Sequence, residues 1–336
     1  MKTFCTSKKE YRYSSEIFDT YFGDMRIGFF DIETTGLSPD RCKLILAGVS
    51  YYDGDTLTTR QIFADDPSEE PIVISEILNE LKSFDMIVTY NGKRFDIPFL
   101  LKRAHKNHIH INEALPYNLD LYPVVRKFSP LKDMLPDLKQ KTLETFAGLS
   151  KSRTDEISGA ESVELYYYYT GTKDEKIRDV ILLHNRDDIT QLPKLLKILD
   201  RCDLNGYLYA NGLPADRLII DRIASGRQCL AITGMQRSKP VDLLSYDNFG
   251  SGCNVWFKSE DASFDIRVPV IENSGLRLID LKNINIDYSK LLMYPNVEQD
   301  YLIVSVNENI NHREINVFSQ MIANETEKLL IQGAGI

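Results

Sequence analysis

Acidic side chains stand in three short segments of the sequence, and the first is a pair of carboxylates at the end of an apolar run. Asp31 and Glu33 close residues 26–33, which read as a buried strand. Alternate residues of a strand point to the same face, so both carboxylates should lie together. Without a partner they would repel each other and be costly to bury, and a divalent cation would remove that cost. The pair predicts a metal site, with a solvent-exposed acidic strand end as the alternative.

The residues that follow the pair suit contact with a nucleotide. Thr34, Thr35 and Gly36 complete the string Asp-Ile-Glu-Thr-Thr-Gly. The glycine lets the chain turn, and the threonines offer amides and hydroxyls beside the acids. Such groups can hold a sugar or a phosphate. We expect these three residues to bind nucleic acid.

The second segment runs from the end of a short strand into a helix. The strand ends at Asn91, Gly92 turns the chain, and Asp96 stands where the helix begins. An aspartate at this place is often only a helix cap, but with the first pair upstream we expect Asp96 to bind metal as well. Asn91, Lys93 and Arg94 are expected to contact the nucleic acid backbone. The alternative for the two cations is a solvated loop.

The third segment lies within a long helix predicted over about 174–199. His184 and Asp188 are four residues apart and share a helix face. Asp188 would complete the metal-binding carboxylates, and His184 would be the general base that orients or deprotonates the attacking water. The alternative for His184 is a purely structural role. Asp187 should point elsewhere.

The apolar periodicity around these segments predicts a mixed sheet flanked by helices, an α/β class. The expected strands are 26–33, 43–52, 57–63, 86–90 and 117–122; the expected helices are 67–84, 97–107, 136–147, 161–170 and 174–199. Of the four adjacent tyrosines 166–169, at most two can line one helix face, where they should pack under the sheet.

The chain changes character after about residue 205. We expect a helix over 214–230, strands over 253–258, 264–270, 276–281 and 300–306, and a last helix over 312–331. The predicted organisation is an N-terminal extension (1–24), an α/β domain (25–203) and a smaller α+β region of unknown role (204–336). Trp256 and Phe257 could stack on bases, although packing in the core of a small sheet is the favoured interpretation.

Composition limits the classes of function. The net charge of −9 argues against tight, non-specific DNA binding but allows transient engagement by an enzyme. No apolar run reaches the ~18 residues that a membrane span needs, and the N-terminal residues have no apolar signal core, so we expect a cytoplasmic protein without membrane contact. The five cysteines are far apart, which argues against a zinc site, an iron–sulfur site or a disulfide framework.

Together the three acidic segments resemble the DEDD superfamily of 3′–5′ exonucleases, and within it the bacterial YprB-type group. The likeness covers about residues 25–200, including Leu119-Asp120-Leu121, Arg126, Leu138-Lys139, Lys141 to Glu144 and Asp155 to Gly159. It implies a ribonuclease H-like fold with a five-stranded sheet of order 3-2-1-4-5. It also implies two Mg²⁺ or Mn²⁺ ions held by Asp31, Glu33, Asp96 and Asp188, and removal of nucleoside 5′-monophosphates from a 3′ end.

The sequence departs from the family pattern at two places. A histidine, His184, stands at the four-residue spacing that is usual for a tyrosine, and Ser158 stands where proline is expected. We expect a substrate of single-stranded DNA or RNA, or 3′ ends, without a choice between DNA and RNA. The alternatives are a structure-selective endonuclease with the same site and a non-catalytic module that docks nucleic acid or protein.

Overall fold

The structure, a computed structural model, describes residues 1–111, 113–149, 153–154, 157–248, 252–284 and 286–334. It divides the chain into two units, Met1–Cys202 and Asp203–Ile336. Each unit has its own sheets, and the acidic segments all belong to the first.

The first unit is built on a mixed sheet of six strands: β1 (Lys2–Lys9), β2 (Ile27–Thr34), β3 (Leu44–Asp53), β4 (Thr56–Phe63), β5 (Met86–Thr89) and β6 (Tyr117–Asp120). Their order in the sheet is β1-β4-β3-β2-β5-β6. The strand β2 pairs in parallel with β5, and β5 with β6, whereas the other neighbours are antiparallel. For the last five strands the order is the predicted 3-2-1-4-5.

The sheet has six strands instead of the predicted five, and the additional strand comes from residues 1–24, the predicted N-terminal extension. Residues 2–9 form β1, which pairs along the whole of β4, from Lys2 opposite Phe63 to Lys9 opposite Thr56. A short helix, α1 (Glu16–Phe22), follows. The sequence hides β1 because nearly all its side chains are exposed, so it lacks the apolar alternation by which a half-buried strand is recognised.

Helices cover both faces of this sheet. On one face, Phe30 and Ile32 of β2 share a core with Val73, Ile77 and Leu100. On the other, β3 and β4 pack against residues of two long helices near the end of the unit. The helices that follow α1 are α2 (Glu70–Leu81), α3 (Asp96–Lys106), α4 (Leu121–Phe128), α5 (Leu131–Met134), α6 (Gln140–Phe146), α7 (Gly159–Thr172) and α8 (Glu175–Leu195).

The four adjacent tyrosines divide between core and solvent. Tyr166 and Tyr169 are buried, and both rings lie edge-on to Phe63 of β4. Tyr167 and Tyr168 are 55% and 59% exposed. Two of the four therefore anchor α7 under the sheet, as helical spacing predicts.

The second unit holds two further sheets. The larger sheet consists of β7 (Leu213–Ala215), β8 (Leu218–Ser225), β9 (Cys229–Gln236), β10 (Leu243–Asn248), β11 (Cys253–Lys258) and β12 (Ser263–Pro269), in the order β10-β11-β12-β9-β8-β7. The other consists of β13 (Ile271–Asn273), β14 (Leu276–Asp280), β15 (Val297–Glu298), β16 (Tyr301–Val306) and β17 (Asn309–Ile310), in the order β13-β14-β16-β15 with β17 paired to β16. In the chain, helix α9 (Leu204–Asn211) precedes these strands and helix α10 (His312–Ala334) follows them.

The helix predicted over 214–230 is wrong, because these residues form β7, β8 and the start of β9. The register of β8 against β9 shifts between Ile220 and Arg222. This bulge breaks the two-residue alternation, so Ile219, Ile220 and Ile223 are all buried. The resulting spacing imitates that of an amphipathic helix.

Two further expectations concern the whole chain. Among the described residues no helix is long and apolar enough to cross a membrane. No disulfide joins any of the five cysteines, all of which lie in the described part of the chain.

Candidate active site

The first two carboxylates lie on the face of β2 that is turned toward α8. Because Phe30 and Ile32 enter the core on the α2 side, the alternate residues Asp31 and Glu33 must point the other way. Glu33 is buried, with 7% of its surface exposed.

The second segment delivers Asp96 to the same strand. Asp96 is the first residue of α3 and is buried. Its Oδ1 accepts a hydrogen bond of 3.1 Å from the backbone amide of Ile32, between the two carboxylates of β2. The residue at the cap position is Phe95, and no side-chain cap bond is made there. Asp96 therefore ties α3 to β2.

The third segment places His184 and Asp188 over the end of β2. The Nε2 atom of His184 lies 3.6 Å from Oε1 of Glu33 and 3.8 Å from Oδ2 of Asp188. One ligand atom from each of these three residues lies within 4.8 Å of the other two. Such a group could hold a metal ion.

Asn185 connects α8 to the remaining carboxylate, Asp31, a contact that no sequence pattern predicts. Its Nδ2 donates to Oδ2 of Asp31 at 3.0 Å, and its Oδ1 accepts from Nε2 of Gln61 at 2.9 Å. A side chain on Gly48 would collide here, since a Cβ atom would lie 2.2 Å from Oδ1 of Asn185. The glycine of β3 thus allows α8 to approach Asp31.

Burial and mutual repulsion shift the carboxylates away from their ordinary ionisation. Burial, and then the charges of Asp96, Asp188 and Glu33, raise the pKa of Asp31 well above its usual value. Burial raises the pKa of Glu33 to about 7, although the nearby His184 lowers it. Burial likewise raises the pKa of Asp96 to about 7, although the hydrogen bond from the amide of Ile32 lowers it. Negative charge is therefore concentrated at the end of β2.

Asp188 has a second partner, Arg153, which no sequence pattern predicts. Nη2 of Arg153 lies 2.5 Å from Oδ1 of Asp188, while the same guanidinium binds Glu144 of α6 through two contacts of 2.7 and 2.8 Å. Gln140 joins them, donating to Oε1 of Glu144 and to the backbone oxygen of Asp188. One oxygen of Asp188 is therefore fixed by Arg153, while the other faces His184.

Asp187 has a separate role, as its direction on the helix predicts. Its Oδ2 accepts hydrogen bonds from the amide and the hydroxyl of Thr154, at 2.5 and 3.0 Å. It thereby holds the residue next to Arg153. Asp155 and Glu156, which belong to the family resemblance, lie outside the described residues.

The predicted nucleotide-binding residues after Glu33 form a tight loop. The hydroxyl of Thr34 donates to the carbonyl of Gly36 at 2.8 Å, and that of Thr35 accepts from the amide of Lys43 at 2.8 Å. Gly36 has a φ of 148°, and a Cβ there would lie 2.8 Å from Sγ of Cys42. The hydroxyls are thus used to shape this loop beside the carboxylates.

The predicted contacts of the second segment lie on a turn that Asp120 organises. Its carboxylate accepts from the amides of Asn91 and Lys93 at 2.7 and 3.0 Å. Asn91 adopts a φ of 63°, and the ammonium of Lys93 lies over the ring of Tyr117. Arg94 is exposed. Asp120 ends β6 beside β5, so its place after a strand was the signal that could have identified it.

The donor set suits a hard divalent cation. Carboxylate oxygens are the ligands that Mg²⁺ and Mn²⁺ prefer, and an imidazole nitrogen is acceptable to Mn²⁺. The raised pKa values of Asp31, Glu33 and Asp96 mark a place where a cation would relieve repulsion. The side chains fit such an ion.

Most of the first unit is similar to known proteins. A family model described as RNase H superfamily matches residues 28–200. A DNA polymerase of Archaeoglobus fulgidus is 26% identical over 178 residues, which are 46% of this chain and 21% of that protein. A DNA polymerase of Methanocaldococcus jannaschii is 30% identical over 131 residues, which are 30% of this chain and 8% of that protein.

A solved structure of the family B DNA polymerase from the hyperthermophilic archaeon Pyrobaculum calidifontis is also similar to this chain. It is 23% identical, covers 52% of this chain and 24% of its own, and gives a TM-score of 0.41. The similarity therefore spans a quarter or less of the length of each of these polymerases.

Proposed function

This chain belongs to the RNase H superfamily, and we propose that it is a metal-dependent 3′–5′ exonuclease that hydrolyses phosphodiester bonds of nucleic acid. The proposal assigns the chemistry to residues 25–203 and a separate role to residues 204–336. The DEDD arrangement of carboxylates and the likeness to the YprB-type group are part of the same proposal.

One observation carries the proposal: acidic groups from three distant segments meet at the end of β2. The ligand atoms of Glu33, His184 and Asp188 lie within 4.8 Å of one another. Asp96 is bonded to the amide of Ile32, and Asp31 to the side chain of Asn185. A cluster of buried acids with raised pKa values is costly to a fold, so its presence favours a function over a structural role.

The metal ligands in this proposal are Asp31, Glu33, Asp96 and Asp188. When bound, two divalent ions, Mg²⁺ or Mn²⁺, would supply Lewis-acid catalysis at the scissile phosphate. His184 is proposed as the general base, because Nε2 lies at the edge of the cluster, where it can take a proton from the attacking water. Asn185 and Arg153 hold Asp31 and Asp188 in place.

The substrate we propose is a single-stranded 3′ end, and DNA is the first choice because both curated relatives are DNA polymerases. The loop of Thr34, Thr35 and Gly36 would lie against the terminal nucleotide. Lys93 and Arg94, on the exposed turn before Asp96, would contact the phosphate backbone.

A panel of end-labelled strands tests the proposal. DNA and RNA with single-stranded, recessed or overhanging ends are incubated with Mn²⁺, with Mg²⁺ and with EDTA. We expect mononucleotides to leave the 3′ end of single-stranded DNA with either metal and none to leave in EDTA. Asp31→Asn and Asp188→Asn should abolish the reaction, whereas Asp179→Asn, a change at an exposed position of α8, should not.

The rival functions give different products in the same assay. Internal fragments would identify an endonuclease. Binding of the strands without any cleavage, in the presence of either metal, would identify a docking module and refute the exonuclease.

A further inference from the structure

The second unit carries a row of exposed and half-buried side chains across its larger sheet. In the register of β8, β9, β12, β11 and β10, five residues stand side by side and share one face: Arg222, Thr233, Asp265, Trp256 and Leu244. The opposite face holds the core, which includes Val255, Phe257 and Ile266. Trp256 and Phe257, adjacent in sequence, therefore belong to different surfaces.

Aromatic rings cluster on this face. Tyr246 is 67% exposed, and its ring lies edge-on to Trp256 at 6.0 Å. Leu244, beside Trp256, is 58% exposed. The guanidinium of Arg267 lies over the indole at 5.2 Å, while about half of its side chain remains exposed. The rings and the guanidinium plane form an open stacking surface.

The charges of this face differ in sign from the charge of the whole chain. Among described residues that the strand register places here, three are cations, Arg222, Lys258 and Arg267, and one is an anion, Asp265. Asp265 pairs with Arg267 at 3.1 Å, so Arg222 and Lys258 are the further cations of this register, with Asp221 exposed at the bulge beside Arg222. The chain as a whole carries −9. A locally cationic, aromatic face suits a polyanion with flat bases.

Two acids near Lys258, Asp242 and Asp261, are hydrogen-bonded to the segment that joins β11 to β12, and Glu260 of that segment is exposed. Asp242 accepts from the amide of Ser259 at 2.7 Å, and Asp261 accepts from the amide of Ser263 at 3.1 Å. They shape the turn at the edge of the face.

We propose that this face, formed by Arg222, Leu244, Tyr246, Trp256, Lys258 and Arg267, binds single-stranded nucleic acid. Bases stack on Tyr246 and on the Trp256–Arg267 pair, and the backbone phosphates meet Arg222 and Lys258. Aromatic stacking tolerates any base, so the face binds without strong sequence preference. The inference rests on the proposed function for its choice of ligand, and it adds a second contact outside the nuclease unit.

Trp256 provides the readout, because it is the only tryptophan of the chain. The full chain in EDTA is titrated with a single-stranded oligodeoxythymidylate of about 15 nucleotides, at the upper end of typical site sizes. Tryptophan emission is followed with excitation that tyrosine does not absorb. We expect quenching that saturates and that weakens as salt is raised.

Matched variants assign the quenching to this face. Tyr246→Ala should weaken apparent affinity by roughly tenfold, the worth of one stacked base. Tyr168→Ala removes a similarly exposed tyrosine from α7 and should change nothing. Lys258→Gln should reduce the slope of log affinity against log salt by about one. Lys282→Gln, at an exposed position in the short 3-10 helix that follows β14, should not.

Unchanged emission on adding the oligonucleotide, or equal affinities for Tyr246→Ala and Tyr168→Ala, would overturn the inference. Asp31→Asn separates it from the proposed function, since this variant should lose nuclease activity and keep the quenching. Quenching by a wild-type chain that degrades no strand would refute the nuclease alone, and nuclease activity without quenching would refute this face alone.

Discussion

Arg153 holds one oxygen of Asp188 at 2.5 Å while its guanidinium also grips Glu144 through two hydrogen bonds. Glu144 has 1% of its side chain exposed and Arg153 has 8%. The carboxylate of Asp188 on α8 is therefore oriented by a buried ion pair. Its other oxygen, Oδ2, lies 3.8 Å from Nε2 of His184.

Replacing Arg153 should lower the free energy of unfolding of the protein. In Arg153→Met the buried carboxylate of Glu144 loses its cation, a change that typically costs about 3–5 kcal/mol of stability. The double variant Glu144→Met/Arg153→Met, which removes both charges, should recover most of that loss. Urea unfolding of the wild type, both single variants and the double variant measures the cycle. If Arg153→Met lowered the free energy of unfolding by less than about 1 kcal/mol, the buried carboxylate of Glu144 would not depend on Arg153 for charge compensation.

His184→Ala should separate catalysis from metal binding. If Nε2 takes the proton of the attacking water, kcat at saturating metal should fall by roughly 10²-fold or more. The Mn²⁺ concentration for half-maximal activity should stay near that of the wild type. A loss of kcat below about threefold would make His184 structural. A large rise in the required Mn²⁺ would make it a ligand, which its place within 4.8 Å of two carboxylates allows.

The metal-free protein should lose stability as pH rises toward neutrality. Glu33 and Asp96 have folded pKa values of about 7, well above about 4 for free carboxyls. Between these values the native state binds more protons than the unfolded state, so this contribution is present at low pH and is lost as pH passes about 7.

Urea unfolding in EDTA at pH 5 and pH 8 measures this effect. The variant Glu33→Gln/Asp96→Asn cannot titrate at these sites, so its stability relative to the wild type should increase with pH. Asp179→Asn, at an exposed site, should show no such trend. If the free energy of unfolding of this double variant, minus that of the wild type, fell as pH rises, the raised pKa values would be contradicted.

Gly48→Ala should disturb the site from the neighbouring strand. The new Cβ would lie 2.2 Å from Oδ1 of Asn185 and 2.8 Å from Cδ1 of Ile189, so α8 must move. We expect a loss of about 1–3 kcal/mol and a marked fall in activity, because Asn185 would leave Asp31. Gly159→Ala, where a Cβ meets nothing within 4 Å, is the control and should be neutral or stabilising. Equal behaviour of the two variants would show that α8 tolerates the shift.

The candidate site was accessible from the sequence where local geometry decided the outcome. Period two in β2 set the common face of Asp31 and Glu33, and the four-residue spacing in α8 set that of His184 and Asp188. The strand order from β2 to β6 followed from the resemblance. The direction of the side chains within each segment therefore needed little tertiary information.

Long-range contacts set the remainder of the site. Arg153 meets Asp188 across 35 residues, and Asn185 meets Asp31 across 154, and neither pairing has a periodic signal. The strand β8 was misread because a bulge changes which side chains are buried. Trp256 and Phe257 are both aromatic, and only the register of β11 tells which one faces the core.

The pairing of β1 with β4 matters for anyone who trims this protein. A chain shortened to residues 25–203, the span suggested by sequence alone, would lose the strand that covers β4 from Thr56 to Phe63. Eight residues of backbone would then offer open hydrogen-bonding groups to any passing extended chain. Self-association of such a fragment would reflect this uncovered edge, so the first nine residues should be kept with the rest of the first unit in every expressed form.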